Sequence, residues 1–145
     1  MNKNSNSFEI IFDSKSENES LSRVIVASFA AKLDPTLDEL SDIKMAVSEA
    51  VTNSIVHGYE EDESKFVYLR CELEDRMIKV VIEDRGKGIE DIKQAMQPMY
   101  TSKPELDRAG MGFSFMESFM DTLEVVSIKG EGTKVVMTKT IELPK

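Results

Sequence analysis

Glu49 and Asn53 stand four residues apart in the run Glu49-Ala-Val-Thr-Asn-Ser-Ile-Val-His-Gly58, a spacing that stacks them on one face if the run is helical. Such a pair is either an ordinary wet helix face or part of a site. A second candidate is Asp84-Arg-Gly-Lys-Gly88, entered directly from a strand-like run. Two glycines one residue apart let a backbone turn sharply and approach a ligand closely. It is not a Walker loop, because G-x-x-x-x-G-K-[ST] occurs nowhere, and Asp91 stands where a third glycine would complete G-x-G-x-x-G. The third is Ser102-Lys-Pro-Glu-Leu-Asp-Arg-Ala-Gly-Met-Gly112, with cations at Lys103 and Arg108 and a Gly110-Met-Gly112 that opens a helix. Free N–H groups at a helix start, flexible glycines and cations together favour an anion.

Taken singly, each has an ordinary explanation. Glu49 and Asn53 lie roughly 120–160° from the centre of their helix's apolar stripe, where solvent-facing residues belong. The glycine pair suits any polar turn, and the cationic stretch suits any surface loop.

The elements that must carry these residues follow from periodicity. Ser7 to Asp13 alternates around Phe8, Ile10 and Phe12, as a strand does. Ser16-Glu-Asn-Glu19 offers a capping box for a helix to about Lys32, with Leu21, Val24, Ile25 and Phe29 on one face. A second helix starts at Asp34 with Pro35 in its first turn, or at Thr36 with Glu39 as a capping box, the latter preferred. Its stripe is Leu40, Ile43, Val47, Ala50, Val51 and Ser54, and Gly58 is its stop. Lys65 to Glu74 and Met77 to Glu83 read as an antiparallel hairpin turned at Asp75-Arg76. A short helical piece runs to Gln97, and irregular chain follows from Pro98 to Gly112. Then come a helix with Phe113, Met116 and Met120 on one face and two strands around Lys129-Gly-Glu-Gly132. Hairpins with grouped helices predict an α+β two-layer sandwich rather than a parallel doubly wound sheet.

The 145 residues suit one domain spanning 1–145. Hydrophobic residues at 41% and charged residues at 31% mark a globular rather than a disordered chain. Eighteen basic against 27 acidic residues, a net charge of −9, argue against a nucleic-acid footprint. They leave room for a phosphate compound, because local cations and backbone N–H groups can override the global sign. The lone Cys71 reads as a small buried side chain, and His57 as helix-end structure. No run approaches the roughly 20 apolar residues that span a bilayer, and the first residues lack a signal-peptide core, so a cytoplasmic protein is expected.

The order of the three candidates carries more than any one of them. A helix bearing Glu and Asn, a post-strand D-x-G-x-G and a later G-x-G opening a helix resemble the boxes of the ATPase superfamily of gyrase, Hsp90, histidine kinases and MutL. More closely, DPTLDEL, SEAVTNSIVHGYE, EDRGKGI and QPMYTSKPELDRAGMGFSFMESFMD resemble the anti-sigma F factors of sporulating bacteria, nearly from end to end. The resemblance implies a Bergerat-type ATP-binding fold, with a mixed, mostly antiparallel sheet, helices on one face and an ATP lid at about 98–112. It implies a protein serine kinase that uses Mg²⁺ and ATP and releases ADP. Asn53 would be the magnesium ligand and Glu49 the base for a serine hydroxyl. Asp84 would face the adenine amino group, where guanine would present an oxygen, and Thr133 would be a further adenine contact. Gly86 and Gly88 would allow close approach. Gly110 and Gly112 would offer N–H groups to phosphate, with Arg108, and more weakly Lys103, on the γ-phosphate. The implied partners are a sigma factor, an anti-anti-sigma protein as serine substrate and a second copy in a homodimer, with Arg23 on the partner-facing helix. A regulator of a general stress sigma factor and a nucleotide-gated module without catalysis are the competing readings.

Overall fold

The computed structural model describes residues 5–92, 96 and 112–143. The chain runs β1 (Asn6–Asp13), α1 (Glu17–Ala30), a 3₁₀ turn (Ala31–Leu33), α2 (Leu37–Thr52), a π-helical turn (Asn53–Gly58), β2 (Phe66–Glu74), β3 (Met77–Asp84), α3 (Gly112–Phe119), β4 (Thr122–Ile128) and β5 (Gly132–Thr140). The strands form one sheet in the order β1-β2-β3-β5-β4. Among the described residues every pairing is antiparallel, which corrects the expectation of a mixed sheet. The cause lies in the connections. Two helices between β1 and β2 return the chain antiparallel, and β4–β5 closes as a hairpin. The one connection that leaves its strands parallel, β3 to β4, has β5 inserted between them.

Alternation along the strands gives the sheet two unlike faces. Val67, Leu69, Cys71 and Leu73 on β2, Ile78, Val80 and Ile82 on β3, and Val135 and Met137 on β5 are buried beneath the helices. The other face carries ion pairs, Arg70 with Glu9 and Glu72, and Lys79 with Glu72. α2 is the central helix, packed against both α1 and α3. Ile43, Ala46, Val47, Ala50 and Val51 bury its apolar face as its stripe requires. Phe113, Met116 and Met120 do the same beside it. Cys71 is fully buried, and desolvation pushes its thiol up to about 12, so it packs as a small apolar group.

The start of α2 follows the capping-box reading at Thr36. Its hydroxyl accepts from the Glu39 N–H at 3.1 Å, and the Glu39 carboxylate accepts from the Thr36 N–H at 2.9 Å. The start of α1 does not follow the reading at Ser16. That residue is itself helical and its side chain makes no cap. Glu19, the would-be partner, instead accepts a short hydrogen bond from Ser48 on α2 and pairs with Arg23 at 3.7 Å. The expected apolar face of α1 is also rotated. Ser22, Val26, Phe29 and Ala30 are buried, whereas Leu21 and Val24 are 50% and 58% exposed. Two apolar stripes compete on this helix, and the one with Ser22 and Ala30 lets α2 approach closely. At the opposite end, Arg76 donates to the carbonyls of Leu33 (2.7 Å), Ile141 (3.0 Å) and Glu142 (2.9 Å). It thereby ties the β2–β3 turn to the ends of α1 and β5.

Candidate functional site

Where β3 ends, the apolar rows of the sheet give way to a polar one. Asp84 faces the helices beside the core residue Ile82, yet it is only 4% exposed. Desolvation raises its carboxyl above the usual carboxylate range. Three donors offset part of that penalty: the Gly86 N–H at 3.0 Å, the Ser54 hydroxyl and the Thr133 N–H. A buried carboxylate held this way remains an acceptor aimed by its surroundings.

The approach of α2 to this carboxylate depends on the turn that ends the helix. From Asn53 the helix widens, and the Tyr59 N–H reaches back five residues to the Ser54 carbonyl at 2.9 Å. Such wide turns recur at functional sites. This one buries Ser54 against Asp84 and brings Gly58 onto it. A Cβ on Gly58 would lie 2.8 Å from the Asp84 carboxylate carbon, and one on Gly86 only 2.1 Å from the Gly58 carbonyl oxygen. The two backbones touch, sealed by a Lys87 N–H to Gly58 carbonyl bond of 3.0 Å. Gly88 continues the turn with φ +76 against the Ile128 carbonyl. Tyr59 braces it from below, accepting from the Arg85 N–H at 2.7 Å and donating to the Phe66 carbonyl at 2.5 Å. Burial holds that phenol above its ordinary pKa, so it stays a donor.

One turn up α2, Glu49 and Asn53 are half-buried rather than solvent-facing. The reason is α3. A Cβ on Gly112, its first residue, would stand 2.8 Å from Asn53 Nδ2 and 3.0 Å from Oδ1. The carboxamide of the first candidate motif therefore lies against the last glycine of the third. Thr133, buried at the start of β5, is in register with Asp84. The structure thus gathers Glu49, Asn53, Asp84, Gly86, Gly88, Gly112 and Thr133 around one end of α2. Lys103, Arg108, Gly110 and the rest of the expected lid up to residue 111 lie outside the described residues, as does most of the helical piece expected before Gln97. Arg23 stands apart on α1, half-buried.

Residues 12–139 match the family model described as the histidine kinase-like ATPase domain. The chain is 58% identical to an anti-sigma F factor of Clostridium beijerinckii, over 92% of this chain and 94% of that one. It is 56% identical to one from Clostridium acetobutylicum over 95% and 96%, and 53% to one from Clostridium novyi over 94% and 96%. This chain belongs to the anti-sigma F factor family, within the histidine kinase-like ATPases. Among solved structures, the RsbU and RsbW domains of a Mycobacterium tuberculosis protein match 96% of this chain with a TM-score of 0.69. At 18% identity that likeness speaks to the fold alone, and the chain spans about a third of that longer one. Membership in the ATPase family makes this a nucleotide-binding fold.

The sequence does not mark Ser54 as polar machinery or Gly58 as more than a helix stop. Ser54 sits at a core position of the α2 stripe, and a hydroxyl there was the available signal. Gly58 shows its second role only once Gly86 lies on it. Among the described residues no helix is long and apolar enough to cross a membrane.

Proposed function

We propose that this protein holds a sporulation sigma factor inactive in its ATP-bound state and phosphorylates an anti-anti-sigma protein on serine with Mg-ATP, working as a homodimer in the cytoplasm. The observation that carries this reading is the convergence around the end of α2. A buried, donor-wired Asp84 lies on one side and the Asn53 carboxamide against Gly112 on the other, in a chain more than half identical to anti-sigma F factors.

The residues present fit a nucleotide and its metal. Asp84 supplies an acceptor for an exocyclic amino group, with Thr133 beside it. The bare Cα of Gly112 leaves the Asn53 carboxamide room that a Cβ would take, and its oxygen is a hard donor of the kind magnesium accepts alongside water and phosphate. When bound, that ion would neutralise phosphate charge. Glu49, on the same helix face, would accept the proton of the attacking serine hydroxyl. Arg108 and Lys103 would meet the γ-phosphate, with Gly110 and Gly112 offering N–H groups. Arg23, partly exposed on α1 with Val24 exposed next to it, is a residue type that commonly anchors interfaces.

Incubating the protein with labelled ATP, Mg²⁺ and the cognate anti-anti-sigma protein should label a serine on that partner. Co-purification in ATP should retain the sigma factor. Absence of transfer by the wild type would remove the kinase reading; retention of a different sigma factor would reassign the partner. A narrower check concerns the contact between α2 and α3. Gly112→Ala drives a methyl into the Asn53 carboxamide while placing a good helix former in α3. The melting temperature should hold, and Mg-nucleotide affinity, read by calorimetry, should drop about tenfold, the equivalent of one misplaced hydrogen bond or ligand.

A further inference from the structure

Strand register sets Asp84 on β3, Thr133 on β5 and Ser127 on β4 in one row across the helix-facing side of the sheet. The next two rows are apolar throughout: Ile82, Val135 and Val125, then Val80, Met137 and Leu123. Ser127 is therefore polar at a place where its own strand alternation calls for a core residue, and its hydroxyl is heavily engaged. It accepts from the Ile89 N–H at 2.7 Å, lies 3.1 Å from the Gly132 carbonyl as donor, and stands 2.8 Å from the Thr133 hydroxyl.

A hydroxyl has one proton and two lone pairs. The Ile89 N–H occupies one lone pair, and the Gly132 carbonyl, which can only accept, takes the proton. The second lone pair is what remains for Thr133, so in the hydroxyl pair Thr133 is the donor. Its oxygen is then left with lone pairs alone, next to a carboxylate that also only accepts.

We infer that Ser127 is a positioning residue for base selection: by accepting the Thr133 proton it turns the polar row into an all-acceptor wall. That wall matches the exocyclic amino group of a 6-aminopurine nucleotide, or a water donating toward it, and opposes a 6-keto purine. The inference rests on the proposed placement of the nucleobase at Asp84 and Thr133. Without Ser127, the Thr133 hydroxyl is free to rotate and donate to a purine carbonyl, so discrimination weakens. Ser127 has a second task, holding the turn after Gly88 through Ile89, but loss of that bond would weaken all nucleotides alike. The ratio of affinities separates the two tasks.

The experiment measures ATP and GTP dissociation constants by calorimetry for the wild type, Ser127→Ala, Ser127→Thr, Thr133→Val and the double variant Ser127→Ala/Thr133→Val. Ser127→Ala should shrink the preference for ATP over GTP roughly tenfold, the worth of one hydrogen bond. Ser127→Thr, which keeps the hydroxyl, should retain it. In the Thr133→Val background, removing Ser127 should no longer change the ratio. A folded Ser127→Ala with the wild-type ratio overturns the inference. If that variant does not fold, Ser127→Cys, whose thiol is a weak acceptor, is read the same way. A wild type that does not prefer ATP over GTP would instead refute the placement of the base itself.

Discussion

Glu49→Gln is expected to slow phosphoryl transfer by roughly 100- to 10,000-fold, the range a positioned general base contributes, while Mg-ATP affinity changes by less than about threefold. The substitution is nearly isosteric and keeps a hydrogen-bonding carbonyl, so the half-buried position on α2 is filled as before. What glutamine lacks is a site for the serine proton at the moment of attack. Single-turnover transfer to the partner protein, measured beside nucleotide binding, separates the two effects. A variant that transfers at the wild-type rate would take the base assignment from Glu49. One that loses affinity and rate equally would make it a binding residue instead.

Asp84→Asn should lower ATP affinity by about 100-fold or more. It removes a charge-assisted acceptor and can turn an amide N–H₂ toward the base amino group, so that two donors face each other. Its effect on stability has a definite sign with pH. Burial raises the folded-state pKa of Asp84 above the unfolded value of about 3.8. The folded protein therefore holds this proton more tightly than the unfolded chain. The associated stabilisation is complete below the unfolded pKa and is lost as pH rises through the folded one. At neutral pH the wild type carries the cost of a buried carboxylate, and asparagine does not. Relative to wild type, the variant should gain stability between about pH 4 and pH 7, read by chemical denaturation at the two ends. A fall in relative stability over that window would mean that the Gly86, Ser54 and Thr133 donors outweigh the desolvation. Together the affinity loss and the stability gain would mark Asp84 as a residue kept for its ligand.

Much of this molecule is legible in the order of its residues, because much of its structure is local. The Thr36 and Glu39 capping box, the α2 stripe through Val51 and the Asp75-Arg76 hairpin turn all follow from rules within one or two turns of chain. Where two local solutions were of similar merit, locality failed. On α1 the stripe with Leu21 and Val24 and the stripe with Ser22 and Ala30 are both helical in period. Only α2 could choose, by accepting the smaller side chains and taking Glu19 as the partner of Ser48. The same contact left Ser16 without the carboxylate its capping box required.

For the site, the residue types and their succession suffice to name Glu49, Asn53, Asp84 and the glycines, and to connect them to a family. Periodicity correctly put Glu49 and Asn53 off the core stripe of α2, but a helical wheel has no means of saying what lies outside it. α3 lies there, more than 50 residues on in sequence, with Gly112 against Asn53. Asp84 looked like the polar flank of a turn; its burial exists because Ser54, Gly58 and β5 close around it. Ser127 has no local signature at all, since a serine near a strand end is common. It acquires a role through the β4–β5 register that sets it opposite Thr133. Chemistry can be written into side-chain identity, but pairing and burial are relations between distant segments, and the sheet and helix packing supply them.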